Sequence, residues 1–193
     1  MKNKTSIVFI VASAFFFILS SMLILFLFKL STPLPDLSNE NFKTKDEFIH
    51  LIYSKSHYGY KKYNIYPSIT IAQAILESNW GKSKLTQDGK NLFGIKAGKN
   101  YKSKVDFVTN EFVNNKKIEV VQSFRSYDSY SKSVEDYTDL LGKAKRYEAL
   151  KQCKDYKEQA IALYACGYST DPNYPQKLIS IIEKYELYKY DKK

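Results

Sequence analysis

The chain has 193 residues, room for one well-cored domain but not for two. Aromatics at 16% and hydrophobic residues at 44% exclude extensive disorder; two Cys with two His leave little room for a zinc site, and an iron–sulfur cluster needs more Cys than these. The net charge of +10 asks for an acidic partner: nucleic acid, anionic lipid or an anionic polymer.

Thr5 to Phe28 carries no charge, and Ile7 to Phe28 is almost unbroken in apolar residues and Ser. At about 1.5 Å per residue, 22 residues span roughly 33 Å, enough to cross a hydrocarbon core of about 30 Å. A cleaved signal peptide would have a shorter apolar core followed by a small-x-small site, and Phe26-Leu27-Phe28-Lys29 offers none. The expectation is therefore an uncleaved transmembrane anchor with its stub in residues 1–29. Lys2 and Lys4 precede the run, whereas Asp36 and Glu40 follow soon after Lys29. The positive-inside rule puts the N-terminus in the cytoplasm and residues 30–193 outside the cell membrane. Beyond Lys29 there are 27 basic residues against 20 acidic ones, so the excess of +7 belongs to the outer part. Residues 30–43, with Pro33 and Pro35, form a stiff stalk, and residues 44–193 form the domain.

Within that domain Thr44-Lys45-Asp46-Glu47 fits a capping box, and Phe48, Ile49, Ile52 and Tyr53 follow at helical spacing, predicting a helix near 44–58. Pro67 suits a first helical position, and the Ile/Ala/Leu-rich stretch to Ser78, with Gly81 beyond it, predicts a buried helix of about three turns. Residues 82–100 are polar around the apolar island Leu92-Phe93-Gly94-Ile95. Val105 to Val113 alternates, Asn114-Asn115 interrupts, and Ile118 to Phe124 resumes, predicting a β-hairpin. A helix capped by Asp128 or Ser129 runs to Leu141, another spans Asp155 to Cys166, and Asp171-Pro172 opens the last. The sum is a mostly helical α+β domain in which a helical lobe and a small β-hairpin lobe can face one another across a cleft.

Glu77 is the leading chemical candidate. At 100° per residue Thr70, Gln73 and Glu77 share a narrow stripe on an otherwise apolar helix. Apolar surroundings and the helix C-terminus both raise a carboxyl pKa, the shift a general acid needs near neutral pH. Trp80 lies three residues on, where its ring can stack on a sugar face. The bland alternative is a solvated Glu near a helix end.

The run Tyr66-Pro67-Ser68-Ile69-Thr70-Ile71-Ala72-Gln73-Ala74-Ile75-Leu76-Glu77-Ser78-Asn79-Trp80-Gly81-Lys82-Ser83, followed by Asn91-Leu92-Phe93-Gly94-Ile95-Lys96, resembles the bacterial endo-β-N-acetylglucosaminidases of glycoside hydrolase family 73. Phe124-Arg125-Ser126-Tyr127-Asp128-Ser129, Ser133-Val134-Glu135-Asp136-Tyr137, Arg146-Tyr147 and Gly167-Tyr168-Ser169-Thr170-Asp171-Pro172-Asn173-Tyr174-Pro175-Gln176-Lys177-Leu178 continue the resemblance in order. It covers roughly residues 44–188. It implies a lysozyme-like fold and hydrolysis of the β-1,4 bond between N-acetylglucosamine and N-acetylmuramic acid in peptidoglycan, with Glu77 as general acid and no cofactor or metal. It also implies a second carboxylate in the β lobe after a Thr-x-Glu word, which Thr109-Asn110-Glu111 matches; Glu119 is the weaker candidate. That carboxylate would activate water or attack the anomeric carbon, unless the substrate's own 2-acetamido group does so. Tyr168 or Tyr174 corresponds to the family's cleft tyrosine, with Tyr168 favoured because it follows Gly167 at a helix end, and Phe93 joins Trp80 as a sugar platform or a core residue.

Cys153 and Cys166 flank a predicted helix whose ends lie roughly 15–20 Å apart, beyond disulfide reach, so two free thiols are expected. The expected partners are peptidoglycan strands, anionic wall polymers and the membrane, not nucleic acid. A lytic transglycosylase is the enzymatic alternative, but its Gly-Leu-Met-Gln type word is replaced here by Asn91-Leu92-Phe93-Gly94-Ile95-Lys96. The non-enzymatic alternative is a wall-binding module.

Overall fold

A computed structural model describes residues 42–98, 101–113 and 116–192; for 109–113 and 116–118 it describes the backbone alone. The expected membrane anchor, residues 1–29, and the stalk up to residue 41 lie outside the described residues. Among the described residues no helix is long and apolar enough to cross a membrane.

The body is built around the apolar helix of the sequence. Helix α1 spans Lys45–Tyr63, α2 spans Pro67–Ser78 and the short α3 spans Lys84–Gly89. Strands β1 (Lys104–Val113) and β2 (Lys116–Arg125) form the hairpin. Helix α4 (Tyr130–Lys143), a 3₁₀ segment (Lys145–Gln152), α5 (Tyr156–Ala165), α6 (Tyr174–Lys184) and a terminal 3₁₀ turn (Leu187–Asp191) complete it. In α2, Ile69, Ile71, Ala72 and Ala74 are wholly buried, and so are Thr70 and Gln73. Two of the three polar residues on the stripe, Thr70 and Gln73, therefore face protein and need internal partners.

The capping box on α1 forms as expected: the Thr44 side chain accepts from the Glu47 amide, and the Glu47 carboxylate accepts from the Thr44 amide. The helix runs five residues past the expected end at 58, because Ser56, Gly59 and Tyr60 continue its buried face. Gly59 allows α4 to pass close by; a Cβ there would stand 2.7 Å from Thr138 Cγ2. Phe42, expected in the stalk, belongs to this body, its ring 4.8 Å from Phe48 and 5.2 Å from Tyr130.

The last helix differs from expectation. Asp171-Pro172 does not open it; Pro175 occupies its first turn instead. The Asp171 carboxylate accepts from the Asn173 amide at 2.9 Å and from Lys177 Nζ at 2.6 Å, closing a turn ahead of the helix. Such Asx turns compete with helix initiation. The terminal 3₁₀ turn was not foreseen, and it has a clear role. Asp191 Oδ1 accepts from the Ser68 amide at 2.9 Å and Oδ2 from Ser68 Oγ at 2.6 Å, capping the start of α2 from 123 residues away. Burial pushes the Asp191 carboxyl up to about 6, against the two Ser68 hydrogen bonds that favour its charge.

The hairpin pairs antiparallel in one register, from Lys104 opposite Arg125 to Val113 opposite Lys116. A two-stranded ribbon is marginal alone, and this one is tied at its base. The Ala97 amide donates to Ser123 O and the Arg125 amide to Ile95 O, each at 2.9 Å. Arg125 Nη1 and the Tyr127 hydroxyl both donate to Asp136 Oδ2 on α4, at 2.6 and 2.7 Å. Farther out, Val108 and Val121 face each other in register and are 64% and 70% exposed, so that stretch lacks cover. Cys153 and Cys166 are free, as expected.

Candidate active site

Glu77 stands in the last turn of α2, where three successive residues adopt left-handed backbone: Asn79, Trp80 and Gly81, with φ of 49°, 59° and 74°. The chain thus leaves the helix abruptly just past the carboxylate. Ser78 braces the turn: its hydroxyl donates to Ala74 O at 2.5 Å and accepts from the Gly81 amide at 2.7 Å. Only glycine takes such backbone freely, and Gly81 has Phe42 packed where a Cβ would stand.

Solvent reaches Glu77, yet protein crowds its carboxyl. Lost hydration is the larger effect and raises its pKa above the ordinary carboxylate value; the Tyr174 hydrogen bond and the Lys177 ammonium pull part of the way back. Tyr174, on the first turn of α6 and 4% exposed, donates from its hydroxyl to Glu77 Oε1 at 2.9 Å. The same hydroxyl accepts from Gln73 Nε2 at 2.9 Å. Gln73 Oε1 in turn accepts from the Tyr137 hydroxyl on α4. Burial and the neighbouring Glu77 carboxylate hold Tyr174 far above the ordinary phenol range, so it stays a neutral donor.

Tyr168 lies beside this chain. Its ring stacks against Tyr174 with centroids 5.8 Å apart, and its hydroxyl donates to Phe93 O at 3.4 Å. Of the two tyrosines, Tyr174 touches Glu77 directly and Tyr168 supports it. Phe93 is 3% exposed and stacks on Tyr137 at 3.9 Å and 11°. Phe93 packs in the core, the second of its two expected places, and holds the Tyr137 ring. Trp80 is half-buried between Phe48 (5.7 Å) and Tyr185 (4.9 Å), with Lys45 Nζ 4.8 Å from its ring centre. Those contacts pack Trp80 against α1 and Tyr185 and leave it partly open to solvent.

Glu111 lies on β1, opposite Ile118 in the ladder; its side chain is outside the described residues. Glu119 pairs with Asn110 and is exposed. Sequence reasoning placed Gln73 on the Glu77 stripe but missed Tyr137. The signal was available, since Tyr137 closes the block Ser133-Val134-Glu135-Asp136-Tyr137, yet nothing local says that it meets Gln73 across 64 residues.

The glucosaminidase family model, described as mannosyl-glycoprotein endo-beta-N-acetylglucosaminidase, matches residues 56–187. Exo-glucosaminidase LytG of Bacillus subtilis is 39% identical over 186 residues, covering 91% of this chain and 65% of the relative. Peptidoglycan hydrolase FlgJ of Salmonella typhimurium is 39% identical over 121 residues, covering 60% of this chain and 38% of the relative. The chain thus spans less than two thirds of the length of these curated relatives. Among solved structures, the catalytic domain of the autolysin Auto from Listeria monocytogenes matches with a TM-score of 0.68 at 36% identity, over 78% of this chain and 89% of that one. The glycoside hydrolase domain of Salmonella FlgJ, truncated at its C-terminus, matches with a TM-score of 0.61 at 32% identity, over 75% of this chain and 99% of that one. These likenesses bear out the mostly helical, lysozyme-like α+β fold with one small two-stranded sheet.

Proposed function

This chain belongs to the glucosaminidase family of glycoside hydrolases, and we propose that it is a peptidoglycan hydrolase that cuts the β-1,4 bond between N-acetylglucosamine and N-acetylmuramic acid, with Glu77 as general acid. The observation that carries the role of Glu77 is a solvent-reachable carboxyl with a raised pKa, held on one oxygen by the neutral Tyr174 hydroxyl. The names of the relatives, an exo-glucosaminidase and a peptidoglycan hydrolase, support the substrate class.

Protonated Glu77 delivers its proton to the glycosidic oxygen as the bond to the anomeric carbon breaks, and Glu77 is left as the carboxylate that Tyr174 and Lys177 favour. Water completes the reaction at the anomeric carbon, so the new reducing end is N-acetylglucosamine. Glu111 is the proposed second carboxylate, on the strand that resembles the family's Thr-x-Glu word. A hairpin fastened at its base and uncovered farther out can bring that strand toward Glu77 once a glycan is bound.

Residues 1–29 are proposed as a single-pass anchor, residues 30–43 as the stalk and residues 44–193 as an extracellular catalytic domain, from the uncharged run Thr5 to Phe28 and the basic residues before it. The excess positive charge of the outer part then draws the domain to anionic wall polymers. A membrane-fraction protein whose residues 30–193 are cut by external protease supports the anchor; a mature N-terminus beyond Phe28 excludes it. Mass spectrometry of digested peptidoglycan tests the chemistry. Reducing N-acetylglucosamine ends support hydrolysis at the proposed bond, 1,6-anhydro-muramic ends establish a transglycosylase, and no soluble fragment from any wall leaves only a wall-binding module.

A further inference from the structure

The buried chain from Tyr137 to Glu77 has a fixed direction. The Tyr137 hydroxyl donates to Gln73 Oε1, Gln73 Nε2 donates to the Tyr174 hydroxyl, and Tyr174 donates to Glu77 Oε1. Tyr137 and Gln73 are wholly buried, and Tyr174 nearly so. Hydroxyls can reverse such a chain, but an amide cannot: its oxygen only accepts and its nitrogen only donates.

The amide is pinned from the far end. Among the described residues the Tyr137 hydroxyl proton has no acceptor other than Gln73 Oε1, and Tyr137 is stacked on Phe93. Turning the amide over would bury that proton without a partner. So Nε2 faces Tyr174 and takes a lone pair of its hydroxyl, and the single proton of Tyr174 is left for Glu77. Oε1 of Glu77 then accepts in both charge states, and the proton of the neutral acid resides on Oε2.

We infer that Gln73, oriented by Tyr137, is a positioning residue that determines through Tyr174 which oxygen of Glu77 carries the transferable proton. The inference rests on Glu77 being the general acid. It goes beyond that assignment because it gives a function to two buried side chains that never meet substrate. A purely structural role for Gln73 would alter stability and leave the titration of Glu77 in place.

The test uses Gln73→Met, which keeps length and removes both polar ends, and Tyr137→Phe, which keeps the ring stack and removes only the pin. Two quantities are read on the whole domain: the titration of the Glu77 side-chain carboxyl by ¹³C NMR, and the basic limb of kcat on peptidoglycan fragments. In Gln73→Met the hydroxyl of Tyr174 loses the donor that polarises it and the constraint that aims it. Both readouts should move up by about one pH unit, a tenfold change in proton affinity, and kcat on the acidic plateau should fall about tenfold, part of the roughly 10²–10⁴-fold due to general acid catalysis. Tyr137→Phe should move both readouts the same way by less. Folded variants that titrate like the wild type overturn the inference, and if Gln73→Met does not fold, Tyr137→Phe alone decides it. NMR needs no substrate, so a displaced Glu77 titration in a chain that cuts no peptidoglycan would uphold the proton order and reject Glu77 as a catalytic acid.

Discussion

Tyr174→Phe isolates the one protein group that hydrogen-bonds Glu77 among the described residues. The ring is buried and stacked on Tyr168, so phenylalanine fits without repacking. Two bonds disappear, the donation to Glu77 Oε1 and the acceptance from Gln73 Nε2, both 2.9 Å in the wild type. A hydrogen bond to a charged group contributes about 1.5–3 kcal/mol, and 1.36 kcal/mol corresponds to one pH unit, so the Glu77 pKa should rise by about one to two units from a value that burial has already raised. The sign follows from the donor: Tyr174 stabilises the carboxylate, so losing it favours the protonated acid. The basic limb of the kcat profile, where the acid is lost, should move to higher pH by that amount. Gln73 Nε2 is left buried without an acceptor, which should cost about 1–3 kcal/mol of stability, roughly 2–12 °C in melting temperature for a domain of this size. The assay is kcat against pH on soluble glycan fragments beside thermal unfolding. A basic limb that stays in place or moves down, in a folded variant, would refute the reasoning.

Asp191 gives stability its own pH dependence. Its carboxyl is held at about 6 in the folded chain and titrates near 3.9 when unfolded. Between those values the folded state binds more protons, so this contribution to stability should decline as pH rises from about 4 to 6, by up to about 3 kcal/mol, and stay level above 7. Asp191→Asn should flatten that slope in chemical denaturation, and an unchanged slope would remove Asp191 as its source. For Glu111 the decisive measurement is stereochemical. An α-anomer as first product shows inversion and supports Glu111 as the base, with Glu111→Gln losing turnover comparably to Glu77→Gln. A β-anomer shows retention and favours the acetamido route or a covalent intermediate.

Much of this architecture is legible in the chain because its signals are local. Thr44 and Glu47 announce their own capping box, Pro67 and the apolar run to Ser78 announce α2, and alternation announces the hairpin. The start of α6 was misplaced because two prolines, Pro172 and Pro175, both suit a first turn; the Asp171 contacts to Asn173 and Lys177 decide between them. Glu77 is legible from its stripe, but its surroundings are not. Tyr174 and Tyr168 sit six residues apart in one block, and only the packing of α6 against α2 says which meets the carboxylate. Phe93 and Trp80 both carry the composition of sugar platforms, yet Phe93 is buried on Tyr137, while Trp80 meets Phe48 and Tyr185 and stays half-buried. Aromatic residues serve both purposes, and in a chain with 17 Tyr and 12 Phe their type says little about which.

Whether Glu77 delivers the proton is decided by the rate at which Glu77→Gln releases peptidoglycan fragments. The amide keeps the size of the side chain and an oxygen that can accept from Tyr174, but it has no acidic proton. A folded protein with turnover lowered by about 10²–10⁴-fold is expected, the residual fragments still ending in reducing N-acetylglucosamine. Wild-type turnover by a folded Glu77→Gln chain would contradict that role and place the acid elsewhere.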